Sequence, residues 1–249
     1  MSGVVFITGA ARRIGRALAL RFAERGWSIV LHYGASGERA RATAAEIEAL
    51  GAGVFVVGAD VRKREEIRAA VAAARDHFGA IDVLVNNAGI YPPATPLVDV
   101  SEELWRSVIE TNLYGEFFTA QVVAETMLAR EGAEGRIVNI SSLGAYQIWK
   151  DRVAYNVSKA AVVQMTRALA RALAPRISVN SVAPGAIELP DDPAPGSLVG
   201  QTRIPMRRYG SADDIFRAVW FFAVEATYIT GQTLLVDGGL NIAQETLQE

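Results

Sequence analysis

Short runs of β-branched and aliphatic residues recur along the chain, separated by longer stretches with apolar positions every three to four residues. The first pattern predicts strands covered on both faces and the second predicts amphipathic helices, so their alternation reads as successive βα units on a parallel sheet. Strands are predicted at 4–8, 28–32, 54–58, 83–86, 136–140, 177–181 and 233–236, and helices at 14–25, 37–50, 64–78, 101–130, 153–173 and 212–224. The expected fold is α/β, a doubly wound, Rossmann-type, seven-stranded parallel sheet with helices on both faces. Residues 186–208 break the rhythm. Their Glu188-Leu189-Pro190-Asp191-Asp192-Pro193-Ala194-Pro195-Gly196-Ser197 run is too rich in Pro and Gly for a long helix and predicts a substrate loop.

With 249 residues, 51% of them hydrophobic, a single domain over 1–249 is expected. The formal net charge of −2 comes from interspersed acids and bases, which marks no stripe for a polyanion, so nucleic acid is not an expected partner. No apolar run approaches the roughly 20 residues that span a bilayer, and the first residues lack the basic start of a signal peptide. A cytoplasmic protein with no membrane partner is expected. The chain has no cysteine, and His32 and His77 are too few for a zinc cluster, so no metal is expected either.

Thr8-Gly9-Ala10-Ala11-Arg12-Arg13-Ile14-Gly15 follows the first strand and opens a helix. Such a turn brings backbone N–H groups and a helix N-terminus close to a pyrophosphate, although by itself it is equally an ordinary βα connection. The end of the second strand adds a sharper signal. An Asp or Glu there would bond the ribose hydroxyls of NAD, whereas this chain has His32-Tyr33-Gly34-Ala35-Ser36 and no carboxylate before Glu38. With Arg12 and Arg13 in the turn, a 2′-phosphate would meet cations and hydroxyls, which points to NADPH/NADP.

Tyr155 and Lys159 stand one turn apart on a predicted helix. A phenol ordinarily titrates near pH 10, and a neighbouring ammonium favours its ionised form, which makes Tyr155 a candidate general acid. A lone Tyr-x-x-x-Lys is equally a surface helix with a snorkelling lysine. Ser142, just beyond the fifth strand, and Asn112 add polar groups from elements that lead to the same carboxyl edge of the sheet, where ligands of open α/β sheets bind.

Over essentially its whole length the chain resembles the short-chain dehydrogenase/reductase superfamily. The residues that carry the resemblance are Thr8-Gly9 to Gly15, Asp60-Val61, Asn86-Asn87-Ala88-Gly89, Asn112, Ser141-Ser142, Tyr155 to Lys159, Pro184-Gly185 and Val236-Asp237-Gly238-Gly239. It implies that Tyr155 protonates the carbonyl oxygen, Lys159 holds the nicotinamide ribose and tunes Tyr155, Ser142 orients the carbonyl, and Asn112 anchors a water in a proton relay. It also implies cofactor contacts from Gly9, Arg12, Arg13, Ile14, Gly15, His32, Ser36, Asp60, Val61, Asn87, Ala88, Gly89, Pro184, Gly185 and Ile187, besides Tyr155 and Lys159.

Ser142 is the residue that 3-oxoacyl-carrier-protein reductases and general ketone reductases use. Arg13 in place of a usual glycine, His32-Tyr33, Leu189 in place of a usual threonine, and Tyr91 resemble pteridine reductases, which typically carry Asp where this chain has Ser142. Tyr91 and Leu189 are therefore expected to face the substrate. Trp149, between Ser142 and Tyr155, either walls the substrate pocket or serves as packing.

The first reading is NADPH-dependent reduction of a carbonyl to an alcohol, on a 3-oxoacyl thioester or general ketone. The second is a pteridine reductase acting on dihydropterin or dihydrofolate. A non-catalytic nucleotide-binding protein ranks third, because such relatives usually lose the Tyr or Lys and here all four catalytic positions are filled. Relatives are often tetramers, and the apolar-faced helices at 101–130 and 153–173 suit a homotetramer.

Overall fold

All seven predicted strands form, as runs whose side chains alternate between the two faces of one sheet, buried along the five inner strands and partly exposed along the two at the edges. The computed structural model describes residues 2–132, 134–189 and 199–243. Strands β1 (Val4–Ile7), β2 (Ser28–Tyr33), β3 (Val54–Gly58), β4 (Val83–Asn86), β5 (Gly135–Ile140), β6 (Ile177–Pro184) and β7 (Thr233–Val236) pair in parallel, in the order β3-β2-β1-β4-β5-β6-β7. Helices α1 (Arg13–Ala23), α2 (Gly37–Ala49), α3 (Arg64–Phe78), α4 (Glu102–Ile109), α5 (Gly115–Leu128), α6 (Val153–Leu173) and α7 (Ala212–Trp220) connect or flank them.

The period of two along β1 divides the core. Val5 and Ile7 pack with Leu18 and Phe22 of α1, Ile47 of α2 and Phe216 of α7, while Val4 and Phe6 pack with Ile67 of α3 and Val123 of α5. Strand β1 pairs with β2 on one side and β4 on the other, so the chain winds outward twice from a common centre. Connections leave the carboxyl ends of β1 and β4 in opposite directions there, which opens a crevice.

Two predicted helices are interrupted. Residues 101–130 form α4, then a π-helical turn at Glu110–Tyr114, then α5, and α7 likewise passes into a π turn at Phe221–Glu225. A π turn inserts one residue without changing the apolar pattern enough to be read, and it commonly marks a functional position. Here the first one contains the buried Asn112. Strand β6 continues past the predicted end at 181, since Val182 and Ala183 pair with Leu234 and Leu235. It stops at Pro184, which has no N–H to extend the ladder.

Of the predicted substrate loop, residues 190–198, including Asp191 and Asp192, lie outside the described residues. Leu189 is buried where that stretch begins, and Tyr209 donates a hydrogen bond to the Val199 carbonyl where it ends, at 2.9 Å. Among the described residues no helix is long and apolar enough to cross a membrane.

Candidate active site

The crevice begins at the glycine turn, and two of its positions tolerate only glycine. Gly9 has φ +64°, and a Cβ on Gly15 would lie 2.2 Å from the Gly9 carbonyl oxygen and 2.6 Å from Asn87 Nδ2. Thr8 Oγ1 accepts from the N–H groups of Asn87 and Ala88, both at 2.9 Å, and Asn87 Nδ2 donates to the Thr8 carbonyl at 2.9 Å and the Gly9 carbonyl at 3.2 Å. The ends of β1 and β4 are thereby stitched together. Helix α1 starts at Arg13 with no acidic residue in its first turn and no side-chain cap, so its positive end faces the crevice uncompensated by an acid.

Arg12 and Arg13 are exposed. Arg13 has φ +53°, the left-handed region, which costs a non-glycine residue about 1 kcal/mol. Ile14 is half-buried on the same turn. Ser36 is half-buried at the start of α2, and its hydroxyl does not cap that helix. Gly185 has no room for a side chain, since a Cβ would lie 2.7 Å from Asp237 Cα, and Ile187 is fixed by a bridge to Gly210.

His32 and Asp60 are both held by bonds within the protein. His32 is buried behind the turn, and both ring nitrogens are used within the protein. Nδ1 accepts from the Gly9 N–H at 3.2 Å, so Nε2 carries the proton it donates to the Ala59 carbonyl at 3.0 Å. Its part is to hold the turn. Burial pushes its pKa down to about 4, with the Ala59 bond and Asp60 opposing. The Asp60 carboxylate is gripped by Arg62, with Nε at 2.9 Å from Oδ1 and Nη2 at 2.6 Å from Oδ2, and this pairing holds it below the usual carboxylate range. Val61 is buried against Gly115, where a Cβ would come within 2.7 Å of Val61 Cγ2.

The chemical end gathers on α6. Tyr155 is half-buried among aromatic rings, with the Tyr91 ring edge-on at a centroid distance of 4.8 Å and the Trp149 ring stacked at 6.0 Å. Tyr91 and Trp149 thus both line the recess around Tyr155. The Arg152 guanidinium lies 4.2 Å from the Tyr91 ring centroid and also donates to the Pro92 carbonyl, which braces the exposed Tyr91 ring. Ser142 stands in extended backbone after β5. Its Oγ accepts from the Gly144 N–H at 3.1 Å, which leaves the hydroxyl proton to be donated elsewhere.

Asn112 acts as a clamp. Its Oδ1 accepts from the Ile90 N–H at 2.8 Å, and its Nδ2 donates to the Ile90 carbonyl at 3.0 Å and to Ser158 Oγ at 3.2 Å. Ser158 in turn donates to the Tyr155 carbonyl at 2.8 Å. Gly89 sits beside the clamp, where a Cβ would lie 3.2 Å from Asn112 Oδ1. Lys159 is buried, with Nζ donating to the Ile140 carbonyl at 2.8 Å and to Glu116 Oε1 at 3.1 Å.

Glu116 escaped the sequence reading. A single acid in the apolar Gly115-Glu116-Phe117-Phe118 stretch was the available signal, and it lies within a segment predicted as uninterrupted helix. Burial pushes its pKa up to about 7, outweighing the opposing charge and hydrogen bond of Lys159.

Two buried groups therefore titrate in opposite senses. His32, lowered from 6.5 to about 4, loses native-state stability as pH falls through that window. Glu116, raised from 4.5 to about 7, contributes stability below 4.5 that is lost as pH rises through 7. Between about pH 5 and 6.5 the slopes cancel, so the wild-type unfolding free energy from urea titration should stay nearly level. In Glu116→Gln only the His32 slope remains, and acidification over that interval should cost about 2 kcal/mol, at 1.36 kcal/mol per unit. Equal pH dependence in the two proteins would refute this.

The chain is similar to known proteins over most of its length. The family model described as "Enoyl-(Acyl carrier protein) reductase" matches residues 9–241. The 3-oxoacyl-[acyl-carrier-protein] reductase of Staphylococcus epidermidis is 39% identical over 248 residues, covering 96% of this chain and 99% of that protein. The 3beta-hydroxysteroid dehydrogenase 1 of Eggerthella lenta is 37% identical over 246 residues, covering 96% of this chain and 93% of that one. Among solved structures, acetoin dehydrogenase from Enterobacter cloacae superposes with a TM-score of 0.89 at 33% identity, covering 100% of this chain and 99% of that one. A short-chain dehydrogenase/reductase from Serratia marcescens superposes with the same TM-score, 0.89, at 32% identity, covering 96% and 98%.

Proposed function

The chain belongs to the short-chain dehydrogenase/reductase superfamily, and from that premise we propose that it uses NADPH to reduce the carbonyl of a 3-oxoacyl thioester or small ketone to an alcohol. The observation that carries this reading is Ser142, a neutral hydroxyl with its proton unspent, on the strand end beside the α6 residues Tyr155 and Lys159. The dinucleotide fits the side-chain-free cradle at Gly9 and Gly15 and the acid-free first turn of α1.

When bound, the reduced nicotinamide supplies the hydride. Tyr155 donates its hydroxyl proton to the carbonyl oxygen as negative charge develops there. Ser142 donates a hydrogen bond to the same oxygen and fixes its direction. Lys159 places a positive charge next to the tyrosinate that remains, and Asn112, acting through Ser158, holds the turn that carries Tyr155. Tyr91, Trp149 and Leu189 shape the substrate side, where the rings of Tyr91, Trp149 and Tyr155 pack into an aromatic wall. The exposed Trp105, Tyr114, Phe117 and Leu128, which follow α4 into α5, supply an apolar face between copies in the homotetramer we propose.

Cofactor choice rests on Arg12, Arg13 and Ser36, with the first acid of that region delayed to Glu38. NADPH should bind at least about tenfold more tightly than NADH, a difference of about 1.4 kcal/mol that one charge-assisted contact supplies. Arg13→Gly should remove most of the preference while relaxing the strained φ. Fluorescence titrations giving equal affinities for the wild type would overturn the NADPH assignment.

A second reading, reduction of a dihydropterin, is favoured by the Tyr91 ring at the rim of the recess. Parallel assays with an acetoacetyl thioester, diacetyl and dihydrobiopterin separate the two. For a ketone reductase, Ser142→Ala should slow turnover by roughly a hundredfold and Tyr91→Ala should change little. Strong dihydrobiopterin turnover that falls with Tyr91→Ala by the equivalent of roughly 1 to 3 kcal/mol would transfer the assignment to pterin reduction.

A further inference from the structure

The buried pair formed by Glu116 and Lys159 is not needed for packing. Glu116 opens α5 at 2% exposure, on a side that otherwise carries Thr119, Ala120 and Val123. Lys159 already has the Ile140 carbonyl as an acceptor. Taking two charges out of water is costly, and an apolar residue at 116 would avoid that cost. An ionised carboxylate also needs donors at both oxygens, yet among the described residues Oε2 is buried without a hydrogen-bond partner. Asn86 Nδ2 donates to the Glu116 backbone carbonyl at 3.2 Å and to Asn139 Oδ1 at 3.0 Å, so that amide does not serve the carboxylate. A carboxyl that keeps a proton matches this surplus of acceptors better than a carboxylate.

We propose that Glu116 is a positioning residue that shares an exchangeable proton with Lys159, so that the two side chains act as one proton-holding unit beside Tyr155. This rests on the function proposed above and adds to the charge that Lys159 supplies there a proton that it passes on. When the Lys159 ammonium yields a proton toward the Tyr155 side, the Glu116 O–H bond breaks and a new N–H bond forms at Nζ. Ammonium and carboxylate remain, and nothing is oxidised or reduced. Solvent returns the proton to Glu116 between turnovers. The unit carries charge +1 when Glu116 is protonated and zero when it is not.

The groups around the pair leave this titration to it. Strands β4 and β5 contribute the neutral Asn86 and Asn139, the π turn contributes Asn112, and α6 contributes Ser158, Thr166 and the titratable Tyr155. On the α3 side, Arg64 and Arg68 are taken up by Glu125, and Arg62 by Asp60. Burial places the Glu116 carboxyl near pH 7, within the working range of such a unit.

The test reads the proton first on the free protein. Carbon-13 NMR of glutamate-labelled enzyme should show one side-chain carboxyl titrating near neutrality, and that signal should be missing from Glu116→Gln. Should Glu116→Gln fail to fold, Glu116→Asp makes the same assignment by removing one glutamate signal. A Glu116 carboxyl that titrates in the ordinary acid range overturns the proposal.

Turnover then supplies a second readout. Wild-type kcat/KM for acetoacetyl thioester reduction should inflect near pH 7. In Glu116→Gln, whose amide oxygen still accepts from Lys159, the profile should be flat from roughly pH 6 to 8. An inflection that survives the substitution also overturns the proposal. Because the NMR arm uses no substrate, a neutral-range signal with no carbonyl reduction would refute the function reading alone. Carbonyl reduction without that signal would refute only this inference.

Discussion

Tyr155→Phe should lower carbonyl-reduction turnover by roughly 10²–10⁴-fold while NADPH affinity stays within about twofold, because the substitution removes the transferable proton and little else. The recess around the ring is built from the faces and edges of Tyr91 and Trp149, contacts a phenylalanine keeps. Helix α6 is fastened through groups other than the phenol, including the Lys159 carbonyl, which accepts from the Ser141 hydroxyl at 2.9 Å, so the ring should hold its place. Single-turnover kinetics with a confirmed ketone substrate, set beside a fluorescence titration of the cofactor, give both numbers. A variant that keeps most of its turnover would show that another group donates the proton. A variant that loses cofactor affinity in parallel would show that the tyrosine works mainly in binding.

Lys159→Ala should be damaging in two separable ways. Loss of the ammonium should lower turnover by about a hundredfold or more and weaken NADPH, since the same Nζ serves both. It also strands the Glu116 carboxyl in the core. An uncompensated buried charge costs about 3 to 5 kcal/mol, and Glu116 can limit that cost by staying protonated, which is easier in acid. The variant should therefore be destabilised by about 3 kcal/mol at pH 8 and clearly less at pH 5, measured by urea unfolding. Lys159→Met combined with Glu116→Leu should recover the stability and none of the activity. Recovery of turnover in the double variant would mean that Lys159 is structural.

The strands could be read from the sequence because a both-faces-buried strand leaves a local mark, a short run such as Val4-Val5-Phe6-Ile7 or Val83-Leu84-Val85. Ser142, Tyr155, Lys159 and Asn112 were visible through spacing and resemblance, and the structure brings them to the same edge of the sheet. What stayed hidden depends on contacts between distant segments. One inserted residue at Glu110–Tyr114 turns Asn112 inward, and hydropathy does not register it. The enclosure of the His32 ring is of this kind, because Gly9 and Ala59 offer partners on either side. Hidden too is the pairing of Asp60, over which Arg62, two residues on, folds back. Glu116 gains meaning only once α5 and α6 lie against each other and Lys159 meets it.

The Asn112 clamp also bears on how the site can open. Its bonds cross sequence gaps of 22 and 46 residues, joining the segment after β4 to α6 through the π turn. No single loop can swing away and take the catalytic groups with it, because the bonds that would have to break also tie the central strand's exit to the longest helix. Breathing at this point is therefore subglobal: the Ile90 amide, although the residue is 38% exposed, is freed only when two distant parts of the fold separate together. Opening at the rim, where the exposed Tyr91 ring lies, leaves these bonds intact, whereas opening at the floor would break them together.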